Sequence, residues 1–153
     1  MDKELHRIVS TCIIYKNGKY LLLQRSFEKK AFPGKWTVPG GGLTLDDYIN
    51  EPKTTSDHWY FVLGNSLRRE IKKEKGIEVG KISYLCDMTF IRPDNIPVII
   101  LSFYAPYKNG EVKVDKDSIN FAWVTYEEVK GYDMVEGLID EMKMVDDLRI
   151  QKV

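Results

Sequence analysis

The sequence predicts an α/β protein of the α+β type: an α/β/α sandwich, with a mixed β-sheet flanked by helices. Three observations carry that expectation. The order of elements runs strand-rich, one helix, strand-rich, then helices at the end, and a layered sheet accommodates that order. The run Val98-Ile99-Ile100-Leu101 is wholly apolar, as expected of a central strand covered on both faces. Near the C-terminus, Val135, Leu138, Ile139, Met142, Val145 and Leu148 recur at helical spacing, an apolar stripe that reads as core packing.

The elements follow in order. Residues 8–15 are rich in β-branched side chains and read as a strand. Asn17-Gly18 tolerates the positive φ of a tight hairpin, so residues 20–24 return as the partner strand. Residues 26–35 form a polar loop, and Gly40-Gly41-Gly42 follows it. Residues 43–56 are polar and poorly periodic, with a break at residues 50–53. Ser56 and Asp57 are good N-caps, but Gly64-Asn65 interrupts the pattern, which leaves a secure helix over residues 66–75. Its Leu67 and Ile71, four apart, face the core, and Gly76 ends it after a basic last turn.

Residues 81–91 read as a strand, residues 92–95 as a turn built on Pro93, and residues 97–105 as the central strand. Lys108-Asn109-Gly110 repeats the hairpin signal, with an alternating strand expected over residues 111–114. Residues 121–124 make a short final strand. Thr125 caps a short helix holding Glu127 and Glu128, and Asp133 caps the last helix. No repeat or linker divides the 153 residues, so one domain over residues 1–153 is expected.

Composition narrows the function classes. Hydrophobic content of 43% and charged content of 30% suit a globular chain with a real core. The 23 basic and 23 acidic residues cancel, which argues against binding to duplex nucleic acid or an anionic membrane. Cys12 and Cys86 lie in apolar, strand-like runs and read as buried, reduced thiols. The N-terminal segment is charged and lacks the apolar core of a signal peptide, so a cytoplasmic location is expected.

The chemistry concentrates between Gly34 and Ile77. Three consecutive glycines let the backbone approach a ligand closely. Glu70 and Glu74, four apart on the helix, present two carboxylates on one face within reach of a shared cation. Magnesium keeps several waters and commonly joins one or two carboxylates to substrate phosphates. On these grounds alone, a tight turn and a solvated helix face pairing with nearby lysines is the simpler reading of the two halves.

Taken together, the halves resemble the signature box of the Nudix (MutT-like) hydrolases. That box runs glycine, five residues, glutamate, seven residues, then Arg-Glu-apolar-x-Glu-Glu-x-Gly-apolar. Gly41 matches the first glycine and Asp47 stands at the first glutamate. Arg69-Glu70-Ile71, Glu74 and Gly76-Ile77 match the second half. The flanking Leu21-Leu22-Leu23-Gln24-Arg25, Gly34-Lys35-Trp36, Pro39-Gly40-Gly41 and Phe121-Ala122-Trp123-Val124 agree too.

The resemblance implies a metal-dependent hydrolase cleaving a phosphoanhydride bond in a nucleoside diphosphate derivative or related nucleotide, with Mg2+ or Mn2+. It implies Glu70 and Glu74 as catalytic residues and, with the Gly40 carbonyl and a late acidic residue (Asp117, or Asp115), as metal ligands. Arg25, Gly41 and Lys73 would meet the substrate, and Arg69 would brace Asp47. The expected partner is a small nucleotide-like molecule, and the family admits homodimers. Two departures stand out. Residues 48–68 fill the seven-residue spacer, 14 residues more than the pattern allows, with an aromatic-rich insertion at about 48–61. Tyr48, His58, Trp59, Tyr60 and Phe61 in it could cover the site, bind a base or simply pack. Lys73 takes the first position of the Glu-Glu pair, where an ammonium has no lone pair to offer a metal. That leaves three outcomes: metal held by the remaining ligands, Lys73 contacting phosphate in place of one ion, or a binding module without hydrolysis.

Overall fold

A computed structural model describes residues 3–151, so Met1 and Asp2 of the charged N-terminal segment lie outside the described residues. Strands β1 (Arg7–Lys16) and β2 (Lys19–Arg25) form the hairpin predicted from Asn17-Gly18. Asn17 and Gly18 take φ of 50° and 78°, and Lys16 stands opposite Lys19. The short strands β3 (Trp36–Thr37) and β4 (Gly40–Gly42) follow, then a 3-10 turn at Leu45–Asp47 and helix α1 (Val62–Lys75). The second half contributes β5 (Ile77–Val79), β6 (Ser83–Ile91), β7 (Pro97–Gly110) and β8 (Ser118–Val124). Helices α2 (Tyr126–Val129) and α3 (Leu138–Gln151) complete it.

The sheet is mixed, as expected. β1 and β7 run parallel at its centre, from Arg7 opposite Val98 to Tyr15 opposite Pro106, and the other pairings between these strands are antiparallel. β6 and β5 share the far edge of β7, and β8 lies outside β2. On its near side β1 pairs with β2 at one end and with the glycine strand β4 at the other. That split sets β4 beside α1.

Alternation along β1 and β2 builds one core on each face of the sheet. Ile13, Tyr20 and Leu22 meet Val129 of α2 and Leu138, Met142 and Val145 of α3. Cys12, Ile14, Leu21 and Leu23 meet Leu67 and Ile71 of α1. Fully burying an aliphatic side chain contributes about 1.5–3 kcal/mol, so these two contact sets fix which face each helix covers. Thr125 caps α2 as read, with a reciprocal bond from Thr125 N–H to Glu128.

Four sequence expectations are corrected. Helix α1 begins at Val62 and runs through Gly64-Asn65, because Asn65 N–H finds the Phe61 carbonyl and helix packing overrides a weak propensity. Lys108-Asn109-Gly110 is no hairpin: it extends β7, with Asn109 opposite Glu78 and Gly110 opposite Ile77, and residues 111–114 form no strand. Asp133 does not cap α3. Its carbonyl accepts the Trp36 N–H, Met134 bridges to Trp36, and the helix starts only at Leu138 after Gly137. Cys12 is fully buried, which pushes its thiol up to about 12, whereas Cys86 is only half-buried; both are free thiols. Among the described residues no helix is long and apolar enough to cross a membrane.

Candidate active site

Helix α1 presents its chemistry through its register. Leu67 and Ile71 point into the core, and the neighbouring strip of the helix carries Glu70 toward the glycine strand, with the exposed Glu74 beside it. Gly41 is the closest approach: a Cβ there would lie 3.0 Å from Glu70 Oε1 and 3.1 Å from Oε2. A side chain at position 41 would push that carboxylate aside by a few tenths of an ångström, so glycine leaves Glu70 in its present place. Gly76 closes the helix in the left-handed conformation, φ 73°, with its N–H on the Lys72 carbonyl.

The electrostatics are those of crowded acids. Burial, then the charges of Glu74 and Asp47, raise the Glu70 pKa above the ordinary glutamate range, and a hydrogen bond between the Glu70 and Glu74 carboxyls adds to it. Lys73 works in the opposite direction, so its ammonium lies close enough to be felt. It is exposed and makes no ion pair among the described residues.

Two carboxylates within hydrogen-bonding distance of each other, on one face of the helix, are a donor set that suits a divalent ion. No group of three or more His, Cys, Asp or Glu gathers among the described residues, so a cage made of protein alone does not fit. An ion held by one or two carboxylates, waters and substrate phosphate does fit.

The other predicted residues are placed as follows. Gly40 is exposed and pairs with Thr11, at the lip of the same strand. Arg25, at the end of β2, donates from Nε to the Ala31 carbonyl at 2.9 Å and lies near Asp117, so the structure turns it toward the loop over residues 26–35. Asp117 pairs with Lys29 at 3.4 Å. Asp115 accepts the Asp117 and Ser118 N–H groups at 2.8 Å each and pairs with the buried Lys75 at 3.4 Å. Those partners hold both late acids, and neither joins Glu70 and Glu74. Arg69 does brace residue 47, but through the main chain: its Nη2 donates to the Asp47 carbonyl, while the Asp47 carboxylate caps Thr44 N–H at 2.7 Å.

Two features escaped the sequence reading. The insertion folds back on α1: Tyr48 and Trp59 pack edge to face at 5.3 Å, and Trp59 Nε1 donates to the Glu51 carbonyl at 2.8 Å. Between it and the helix lies a cavity of about 130 Å³. The second is Glu141, buried on α3 beside Cys86; the Glu141 Oε1 has no hydrogen-bond partner among the described residues. Its position three residues after Leu138 on the apolar stripe was the available signal.

No protein-family model matches the chain. Among curated proteins it is similar to the nucleoside triphosphatase NudI of Escherichia coli strain K12, 28% identical over 139 residues. That alignment covers 84% of this chain and 88% of the relative. Among solved structures it resembles the MutT protein from Methanosarcina mazei Go1, at TM-score 0.71 and 23% identity over 97% of this chain and 99% of that one. It also resembles the NUDIX domain of Shewanella oneidensis NrtR, solved in complex with ADP ribose, at TM-score 0.67 and 17% identity over 98% and 90% of the two chains. At such identities the structural likeness concerns the fold, a mixed sheet flanked by helices.

Proposed function

We propose that this chain is a Nudix-type hydrolase, as its similarity to NudI and MutT proteins supports, and that it hydrolyses a phosphoanhydride bond in a nucleoside diphosphate derivative or related nucleotide, using a divalent metal ion (magnesium or manganese). The observation that carries the reading is the hydrogen-bonded Glu70–Glu74 carboxyl pair, with Glu70 set against Gly41 of the glycine strand. The relatives named nucleoside triphosphatases make nucleoside triphosphates the first substrates to try.

In this reading Glu70 and Glu74 hold the ion, which when bound supplies charge neutralisation and a more acidic water. Glu70 takes the proton of the attacking water on its carboxylate as the water oxygen bonds phosphorus and the bridging P–O bond breaks. Lys73 reaches the phosphates as a point charge, the role its ammonium suits in place of the missing carboxylate. The glycine strand leaves room for the phosphate chain, and Arg69 keeps the Asp47 loop against the helix.

The test is hydrolysis of a nucleotide panel with magnesium or manganese. Turnover that stops with chelator and in Glu74→Gln supports the reading. No turnover by the wild type, with activity created by Lys73→Glu, sinks it.

One observation favours a second reading, a nucleotide-binding module with weak or no hydrolysis. Lys73 replaces an acid, and no third carboxylate joins the pair among the described residues. That reading requires nucleotide binding indifferent to chelator, which calorimetry would reveal.

A further inference from the structure

We propose that the cavity between the insertion and the start of α1 is the subsite for the nucleobase of the substrate. The inference rests on the nucleotide hydrolase reading above and names which part of the chain selects the base.

Size sets the first limit. At about 130 Å³ the cavity is well below the roughly 300–1,000 Å³ typical of sites that enclose a whole drug-sized ligand. It has room for one flat heterocycle, with ribose and phosphates left outside.

The lining sets the second. Tyr48, Trp59 and Tyr60 give it aromatic walls. Trp59 is fixed in orientation by its bond to the Glu51 carbonyl, and Tyr60 is 55% exposed, leaving ring surface for a stacked base. Beside them the solvent-exposed Asn65 amide, Tyr60 hydroxyl and Glu51 carboxylate make no hydrogen bond to the other described residues, so each is free to exchange water for a ligand in the cavity they line. An asparagine offers a donor and an acceptor side by side, the pattern that matches the edge of a base.

Position sets the third. Asn65 and Arg69 are four apart and share one face of α1, and both line the cavity. Glu70 is the next residue, about 7.5 Å along the helix axis from Asn65. Asp47 lines the same cavity and its charge is felt by Glu70, so a base held there sends its phosphate chain past Asp47 and Arg69 toward Glu70 and Gly41. Arg69 sits at the junction, with one nitrogen committed to the Asp47 carbonyl.

The experiment uses nucleosides, which lack any phosphoanhydride, and so separates this inference from the catalytic one. Adenosine, guanosine, cytidine and uridine are titrated without metal while the indole N–H resonance of Trp59 is followed by NMR. At least one nucleoside is expected to shift it, with Kd raised about tenfold in Tyr60→Ala and in Asn65→Asp, the cost of one stacking or edge contact. Tyr60→Phe should retain binding. Asn65 is exposed on a helix, so its variant keeps the test decisive if Tyr60→Ala does not fold. A Trp59 resonance indifferent to all four nucleosides up to their solubility overturns the proposal, as does an equal shift in the variants. Nucleoside binding without hydrolysis would keep the subsite and sink the hydrolase. Hydrolysis with variants that bind nucleosides like the wild type would do the reverse.

Discussion

The Arg69 guanidinium reaches back across 22 residues to donate to the main-chain carbonyl of Asp47. That single bond ties the two ends of the opened box together, so the insertion loops out without separating the glycine strand from the acidic helix. Loop closure costs entropy that grows only slowly with length, and one such tie holds the ends in register.

Removing the tie should therefore cost more function than stability. Arg69→Met is expected to lower the unfolding free energy by about 1 kcal/mol, the usual worth of one hydrogen bond, while turnover falls much further as the loop loosens. Urea denaturation beside steady-state kinetics measures both. Unchanged turnover would mean the brace is incidental.

The pH dependence of stability follows from Glu70. Its folded pKa lies above the ordinary glutamate value of 4.5, so between 4.5 and that raised value the native state binds more protons than the unfolded chain. Stability without metal should then fall as pH rises through this window and level off above it. Glu74→Gln removes the chief neighbouring charge and should flatten the fall; thermal melts across the acidic range would show it. A metal-free stability that rises through the window contradicts the crowding.

Lys73→Glu restores a third acid beside the pair. Manganese should bind about tenfold more tightly in that variant, since a repulsive cation gives way to an oxygen ligand. Calorimetry of both proteins decides it, and equal affinities would place Lys73 out of reach of the ion.

Phe61 tests the joint between insertion and helix. It takes φ 60° and ψ 30° just before α1, and its side chain is 82% exposed. A bulky residue in the left-handed region costs on the order of 1–3 kcal/mol, and glycine there gives back part of the gain through unfolded-chain entropy. Phe61→Gly should raise stability by about 1 kcal/mol net of that entropy. A lower melting temperature would show that the exposed ring makes a contact worth keeping.

The layers of the fold were legible because burial follows periodicity. The alternating β1 and β2, the apolar β7 and the Leu67–Ile71 spacing each point to a face. Lys108-Asn109-Gly110 misled because a hairpin signal is local, while β5 offers those residues a partner from elsewhere in the chain. In the site, the Glu70–Glu74 pair could be read from a four-residue spacing. The partners of Asp115 and Asp117 could not, since Lys75 and Lys29 lie 40 and 88 residues away. The cavity was hidden for the same reason: it exists only where the insertion meets Asn65 and Arg69.

The central claim is that Glu70 and Glu74 hold a divalent ion against the substrate phosphates despite Lys73. A crystal structure with manganese and a non-hydrolysable nucleotide tests it most directly. The account predicts the ion on oxygens of both carboxylates, with Lys73 Nζ turned to the phosphates. Lys73 Nζ seated between the two carboxylates, with no ion there, would contradict it.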